Sequence, residues 1–75
     1  MEFNKGDYVR ISAEYPDTIL QRQTGHVISP PDSKHKGEYC VRLDGGITHS
    51  VFLEGKETWV PAHWLEVGHK MPPRP

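Results

Sequence analysis

Glu38-Tyr39-Cys40-Val41-Arg42-Leu43-Asp44, followed by Gly45-Gly46, is the stretch that decides the architecture of this chain. Its residues alternate. Tyr39, Val41 and Leu43 fall on one side of an extended backbone, and Cys40 and Arg42 fall on the other. That period of two is the signature of a strand with one buried face. Asp44-Gly45-Gly46 then predicts a turn, because glycine readily takes the positive φ that tight hairpins need.

Towards the C-terminus, Thr48 to Leu53 reads as the next strand and Glu54-Gly55-Lys56 as another turn. Thr58 to Val60 is short enough to pair onward. Pro61-Ala62-His63-Trp64 suggests a single helical turn, and Leu65 to Val67 a short last strand. Towards the N-terminus, Pro30-Pro31-Asp32 stops a strand over Thr24 to Ser29 that Gly25 opens, and Asp32 to Gly37 is a polar connecting loop. Glu14 to Arg22 carries the turn signal Tyr15-Pro16-Asp17 and two apolar anchors, Ile19 and Leu20. Asp7 to Ser12 alternates again, with Val9 and Ile11 on one face and Tyr8 and Arg10 on the other.

Seven prolines and seven glycines interrupt the chain at short intervals and leave no stretch with helical periodicity. The expectation is therefore an all-β domain over residues 1–68, a small five-stranded barrel with one helical turn before the last strand. Closing the sheet on itself would remove exposed strand edges. Val9, Ile11, Val27, Val41, Leu43 and Leu65 should fill the interior. Residues 69–75, rich in proline, are expected to form a loose, partly extended tail.

At 75 residues the chain is one domain, burying only about 60% of the surface its unfolded form exposes. A deep catalytic pocket is hard to carve from so small a core, which favours work through a surface. Nine Lys and Arg against ten Asp and Glu give no basic excess. A binder that lives on phosphate contacts usually has one, so charge disfavours nucleic acid without excluding a local patch. The single cysteine, Cys40, permits no internal disulfide, which suits a reducing compartment. Met1 to Lys5 show no apolar signal segment, and no apolar run approaches the roughly 18 residues of a membrane span. The expected setting is cytoplasmic, without membrane attachment.

The order of motifs resembles the SH3-like barrels of the KOW and translation-protein kind. Lys5-Gly6-Asp7-Tyr8-Val9-Arg10-Ile11 resembles their GDxVR(V/I) first strand, and Thr24-Gly25-His26-Val27 their xGxV second strand. Tyr39 to Asp44 resembles the Y-x-V-x-F/L third strand, and Trp64-Leu65-Glu66-Val67 the closing xLE element. Three relatives share parts of this order. One is the C-terminal barrel of the nitrile hydratase β subunit with its similar activator proteins, from which this chain departs at Trp59 to Trp64. Another is the set of small barrel subunits of photosynthetic electron transfer. The third and weakest is the plasmid-type dihydrofolate reductase, whose active-site Val-Gln-Ile-Tyr element is replaced here by Ser50-Val51-Phe52-Leu53. These motifs imply a fold more than an activity, since one fold hosts many functions.

Chemistry-bearing residues are sparse. His26, His35, His49, His63 and His69 show no HxH or HExxH spacing, and Cys40 has no CxxC partner. Asp44, His49 and Ser50 can be assembled into a triad only on paper. No catalytic residue, metal ligand or cofactor is expected. Cys40 reads as a half-exposed small residue or a lining of the second face. Trp64, just before the closing strand, suits the core or its half-buried edge. Trp59 follows a charged turn and suits the surface, where it would join Tyr8, Tyr15 and Phe52 in an aromatic patch of the kind that binds extended peptides. Lys34-His35-Lys36, with Arg10 and Arg42 from the outer faces of two strands, would make a basic patch for an acidic partner. The plainer account is a solvated loop and cross-strand ion pairs, with Arg42 meeting Glu38 or Asp7.

The candidate partner-binding residues are accordingly Tyr8, Arg10, Lys34, Lys36, Arg42, Trp59 and His63. They point to a non-catalytic interaction or accessory subunit that holds a protein partner. Two alternatives are a nucleic-acid-binding barrel of the KOW type and an enzyme whose site forms at the centre of an oligomer.

Overall fold

The computed structural model describes residues 2–44, 47–48, 51–52 and 54–68. Its strands are β1 (Tyr8–Ile11), β2 (Thr24–Ser29), β3 (Glu38–Leu43), β4 (Ile47–Thr48), β5 (Val51–Phe52), β6 (Glu57–Pro61) and β7 (Leu65–Val67), with a 3-10 turn over Ala62–Trp64. Five of them form one antiparallel sheet in the order β6-β3-β2-β1-β7. The fold is all-β, and the single helical turn before the last strand is where the sequence places it.

The topology forces this sheet to curl. β6 and β7 occupy its two outer edges, which in a flat sheet would stand about 19 Å apart, four strand spacings. Only Ala62 to Trp64 lie between them, and the four Cα steps from Pro61 to Leu65 reach at most about 14 Å even fully extended. The edges must therefore bend towards one another. They share no hydrogen-bonded ladder among the described residues, so the sheet is curled but open.

The concave face holds the core. Val9, Ile11, Val27, Val41, Leu43 and Leu65 are all buried, as their alternation predicts. Phe3, Leu20, Tyr39 and Val60 join them. Each such side chain removed from water contributes roughly 1.5–3 kcal/mol, which an unstapled domain of this size needs. The N-terminal segment closes one side of the core. The Phe3 amide donates to the Tyr39 hydroxyl at 3.1 Å, and the two rings meet edge to face with centroids 5.5 Å apart. Tyr15 meets Trp64 in the same way at 5.9 Å on the core rim, with Ile19 packed nearby against the same cluster.

Gly25 is buried in β2, opposite Leu43 of β3 and Val9 of β1. A Cβ there would overlap the carbonyl oxygen of Arg42 and crowd a Val41 methyl at 2.9 Å. The glycine serves close backbone approach between neighbouring strands, and its backbone has no left-handed φ.

Four expectations are corrected. The single strand read over Thr48 to Leu53 is instead β4 and β5, which pair with each other as a two-stranded ribbon, Ile47 opposite Phe52 and Thr48 opposite Val51. The fifth strand of the main sheet is β6. Of the two alternatives for Cys40 the half-exposed one fails: it is buried at 6% exposure in the second face, where Ser29 and Trp59 flank it on the neighbouring strands. Arg42 pairs with neither Glu38 nor Asp7 but with Glu57, directly opposite in the β3–β6 register. The rings of Tyr8, Tyr15 and Trp59 do not gather into one patch, and the Phe52 side chain lies outside the described residues. Tyr15 joins Trp64 at the core rim, Tyr8 lies over His26, and Trp59 stacks on His35.

The Gly45-Gly46 turn, the residues 49–50 of the paper triad and the proline-rich tail at 69–75 lie outside the described residues. Among the described residues, no helix is long and apolar enough to cross a membrane.

Candidate functional site

The convex face of the sheet carries the chain's polar strand positions. Across β6, β3, β2 and β1 one row reads Glu57, Arg42, His26, Tyr8. Arg42 Nη2 lies 3.4 Å from Glu57 Oε2. His26 Nδ1 lies 3.3 Å from Asp44 Oδ1, and the Tyr8 ring tilts over the His26 imidazole with centroids 5.0 Å apart. Along the β1–β7 edge, Arg10 donates from Nε (3.0 Å) and Nη2 (2.7 Å) to Glu66 Oε1. Thr24 Oγ1, beside Arg10, donates to Asp44 Oδ2 at 3.2 Å. Arg10, Thr24, Val67 and Gly68 line a shallow cleft of about 200 Å³.

Both strand arginines expected in a basic patch are thus matched by carboxylates at neighbouring register positions. Each pair is exposed and adds only about 0.2–1 kcal/mol to the fold, but it also neutralises the local field. Tyr8 is engaged too, with its ring against His26 and against the backbone of Gly68.

The other end of the convex face differs. Trp59 lies next to Cys40 in the β3–β6 register, and the imidazole of His35 lies flat on its indole. The ring centroids are 3.8 Å apart and the planes are 3° from parallel. The loop that delivers His35 is built by Asp32. Asp32 Oδ1 accepts from the backbone N–H of Lys34 (2.9 Å), from that of His35 (2.8 Å), and from the His35 ring at Nδ1 (3.1 Å). This is an aspartate turn in which the side chain replaces a backbone partner. The backbone N–H of His35 is the main reason the Asp32 carboxyl sits below the usual carboxylate range, helped by the Lys34 N–H and the His35 ring.

The far end of the loop is pinned as well. Gly37 takes a left-handed φ of +72°, and its carbonyl accepts from the Ala62 N–H of the 3-10 turn at 2.9 Å. That bond sets the loop beside the turn carrying His63, which is exposed and tilts against Trp64 at 4.9 Å.

Lys34 and Lys36, the sequence neighbours of the stacked histidine, are exposed and have no ion-pair partner among the described residues. Lys5, Arg22 and Lys56 are exposed as well, but they stand at other turns. Trp59 remains partly open to solvent. The structure therefore seats the loop of Lys34 and Lys36 on Trp59 through His35, and the Gly37–Ala62 bond sets the His63 turn next to that loop. Arg42 lies diagonally across the sheet from Trp59, while Tyr8 and Arg10 belong to the opposite half of the face.

Cys40 lies behind Trp59. Burial pushes its thiol pKa up, and the Glu57 carboxylate adds to the shift. A thiol held protonated is a poor nucleophile. Among the described residues no group of three or more His, Cys, Asp or Glu is placed to hold a metal ion.

A scan of protein families finds no match to this chain, and neither curated proteins nor solved structures give one.

Proposed function

We propose that this chain is a non-catalytic, SH3-like interaction domain, an accessory subunit that holds an extended acidic segment of a protein partner on the Trp59–His35 platform. The observation that carries this reading is the contrast in charge across the convex face. Arg10 and Arg42 are occupied by Glu66 and Glu57, whereas Lys34 and Lys36, the chain neighbours of the histidine stacked on Trp59, have no ion-pair partner among the described residues. Tryptophan supplies a large rigid contact area and is enriched at binding hot spots. Two ammonium groups on the loop seated on it favour carboxylates and disfavour basic partners. The loop is already fixed by Asp32 and by the Gly37–Ala62 hydrogen bond, so little ordering opposes binding.

The same contrast argues against a nucleic-acid surface, because the strand arginines that would track phosphates face carboxylates of their own chain. A fluorescence-anisotropy panel tests the reading with labelled peptides that are acidic and proline-containing, neutral, or basic, and with a single-stranded oligonucleotide. The acidic peptide should bind, and Trp59→Ala should abolish the signal. Tight, salt-sensitive binding of the oligonucleotide alone would replace the proposal with the nucleic-acid reading.

A further inference from the structure

His35 occupies a position in which one proton changes two contacts at once. Its ring edge meets an ionised carboxylate at 3.1 Å through Nδ1, its face lies on an indole with centroids 3.8 Å apart, and in sequence it separates two lysines. We propose that His35 is a proton-operated clasp on the docking platform: protonated, it locks the Asp32 loop onto Trp59 and strengthens capture of an acidic segment.

The inference rests on the docking reading and names its regulation. A neutral imidazole keeps the flat stack and a hydrogen bond to Asp32. An imidazolium adds a full ion pair with Asp32 and a cation–π contact with the electron-rich face of Trp59. It also offsets the charge of Asp32, so that the field of the flanking Lys34 and Lys36 is less opposed. Histidine is the side chain whose charge can change in the range where a partner's carboxylates stay ionised.

The groups that surround the ring set the sign. From its own loop come Asp32, which favours the proton, and Lys34 and Lys36, which oppose it through solvent. From β6 comes Trp59, which favours it. On β3 the neighbour of Trp59 is Cys40, held as an uncharged thiol. Glu38, the next acid along the chain, acts on the Tyr15 phenol. On the adjoining 3-10 turn the titratable group is His63, whose own ring contact is Trp64. The two lysines are exposed and screened, while the carboxylate and the indole touch the ring. Proton uptake should therefore tighten the clasp.

Two readouts on the full chain test this separately. Protonated imidazole quenches a stacked indole, so Trp59 emission should rise as pH is raised from about 5.5 to about 8, following one histidine titration. The measurement is made in His63→Gln, which removes the other histidine–tryptophan contact. His35→Phe preserves a ring on Trp59 and should abolish the transition, as should Trp59→Phe. In the second readout, the labelled acidic peptide should bind about threefold more tightly at about pH 5.5 than at about pH 8. His35→Phe should bind it equally at both.

A flat fluorescence titration would overturn the clasp. So would wild-type binding that ignores pH, with docking itself left standing. A normal fluorescence titration with no peptide binding at any pH would instead remove the docking reading, and with it the clasp's role in capture.

Discussion

The backbone of Arg42 in β3 passes so close to Gly25 in β2 that no side-chain carbon fits between them. A Cβ on Gly25 would overlap the Arg42 carbonyl oxygen and sit 2.9 Å from Val41 Cγ1. Both obstacles belong to the buried middle of the sheet, where neither strand has room to retreat. Gly25→Ala should therefore destabilise the domain by about 2–3 kcal/mol, the cost of overpacking a tight interior. Urea denaturation reads this directly as a lowered midpoint. Gly37→Ala is the contrasting case: its φ is +72° but nothing lies within 4 Å of its Cβ position. There only backbone strain opposes the substitution, about 1 kcal/mol.

The Tyr39 hydroxyl accepts the Phe3 amide, tying the N-terminal segment to β3 across 36 residues of sequence. Tyr39→Phe keeps the edge-to-face ring contact and removes only that acceptor. The buried N–H is left without its partner, which costs about 1–2 kcal/mol. Hydrogen exchange should show the loss most strongly at Phe3, with amides in the centre of β2 and β3 losing less protection. Uniform loss of protection across the sheet would mean that the bond anchors the whole fold, not its N-terminal flap.

Much of this fold was legible because a strand with one buried face writes its register into every second residue. Val9, Ile11, Val27, Val41, Leu43 and Leu65 could be assigned inward from alternation alone, and Ala62–Trp64 from a proline followed by a short polar-apolar run. What alternation cannot show is which strand pairs with which. Thr48 to Leu53 has strand composition, yet Ile47–Thr48 and Val51–Phe52 pair with each other as β4 and β5 while Glu57–Pro61 takes the sheet position. Pairing also decided the ion pairs: Arg42 meets Glu57 because the β3–β6 register puts them opposite, a fact absent from either strand's sequence. For the same reason Cys40 is covered by Trp59, though it faces away from the core. The site residue least visible beforehand was His35. Its local signal was Asp32 three positions earlier, the spacing of an aspartate turn, but its stacking partner lies 24 residues further along the chain.

Alkaline unfolding should begin before any carboxylate or lysine effect explains it. Burial raises the Cys40 thiol above its ordinary 9.0, and burial with the nearby Asp17 and Glu38 raises the Tyr15 phenol above its ordinary 10.0. In each case the unfolded chain releases its proton first, so between the unfolded and folded values the folded state holds more protons. Stability is then complete below the unfolded value and falls as pH rises through the folded one. Thermal melts should show a decline that starts near pH 9 for the thiol and near pH 10 for the phenol. Cys40→Ala should remove the earlier part and leave the later one. In the native protein at neutral pH, Cys40 should also resist iodoacetamide until denaturant is added.

Trp59 and Lys36 separate binding from folding. Lys36 is exposed and makes no described contact, so Lys36→Ala should shift stability by less than about 0.5 kcal/mol. It should still weaken the acidic peptide several-fold, by an amount that shrinks as salt screens the ammonium. Trp59→Ala is a different kind of change, because the indole carries His35 on one side and adjoins Cys40 on the other. Partial loss of its buried surface should cost about 1–2 kcal/mol in chemical denaturation, and Cys40 should become reachable by alkylating reagents in the folded state. Peptide capture should disappear in this variant while far-ultraviolet circular dichroism stays that of a β-sheet. If Lys36→Ala instead unfolds the domain, or Trp59→Ala binds the peptide as the wild type does, the platform is a structural brace and the docking surface must be sought elsewhere on the sheet.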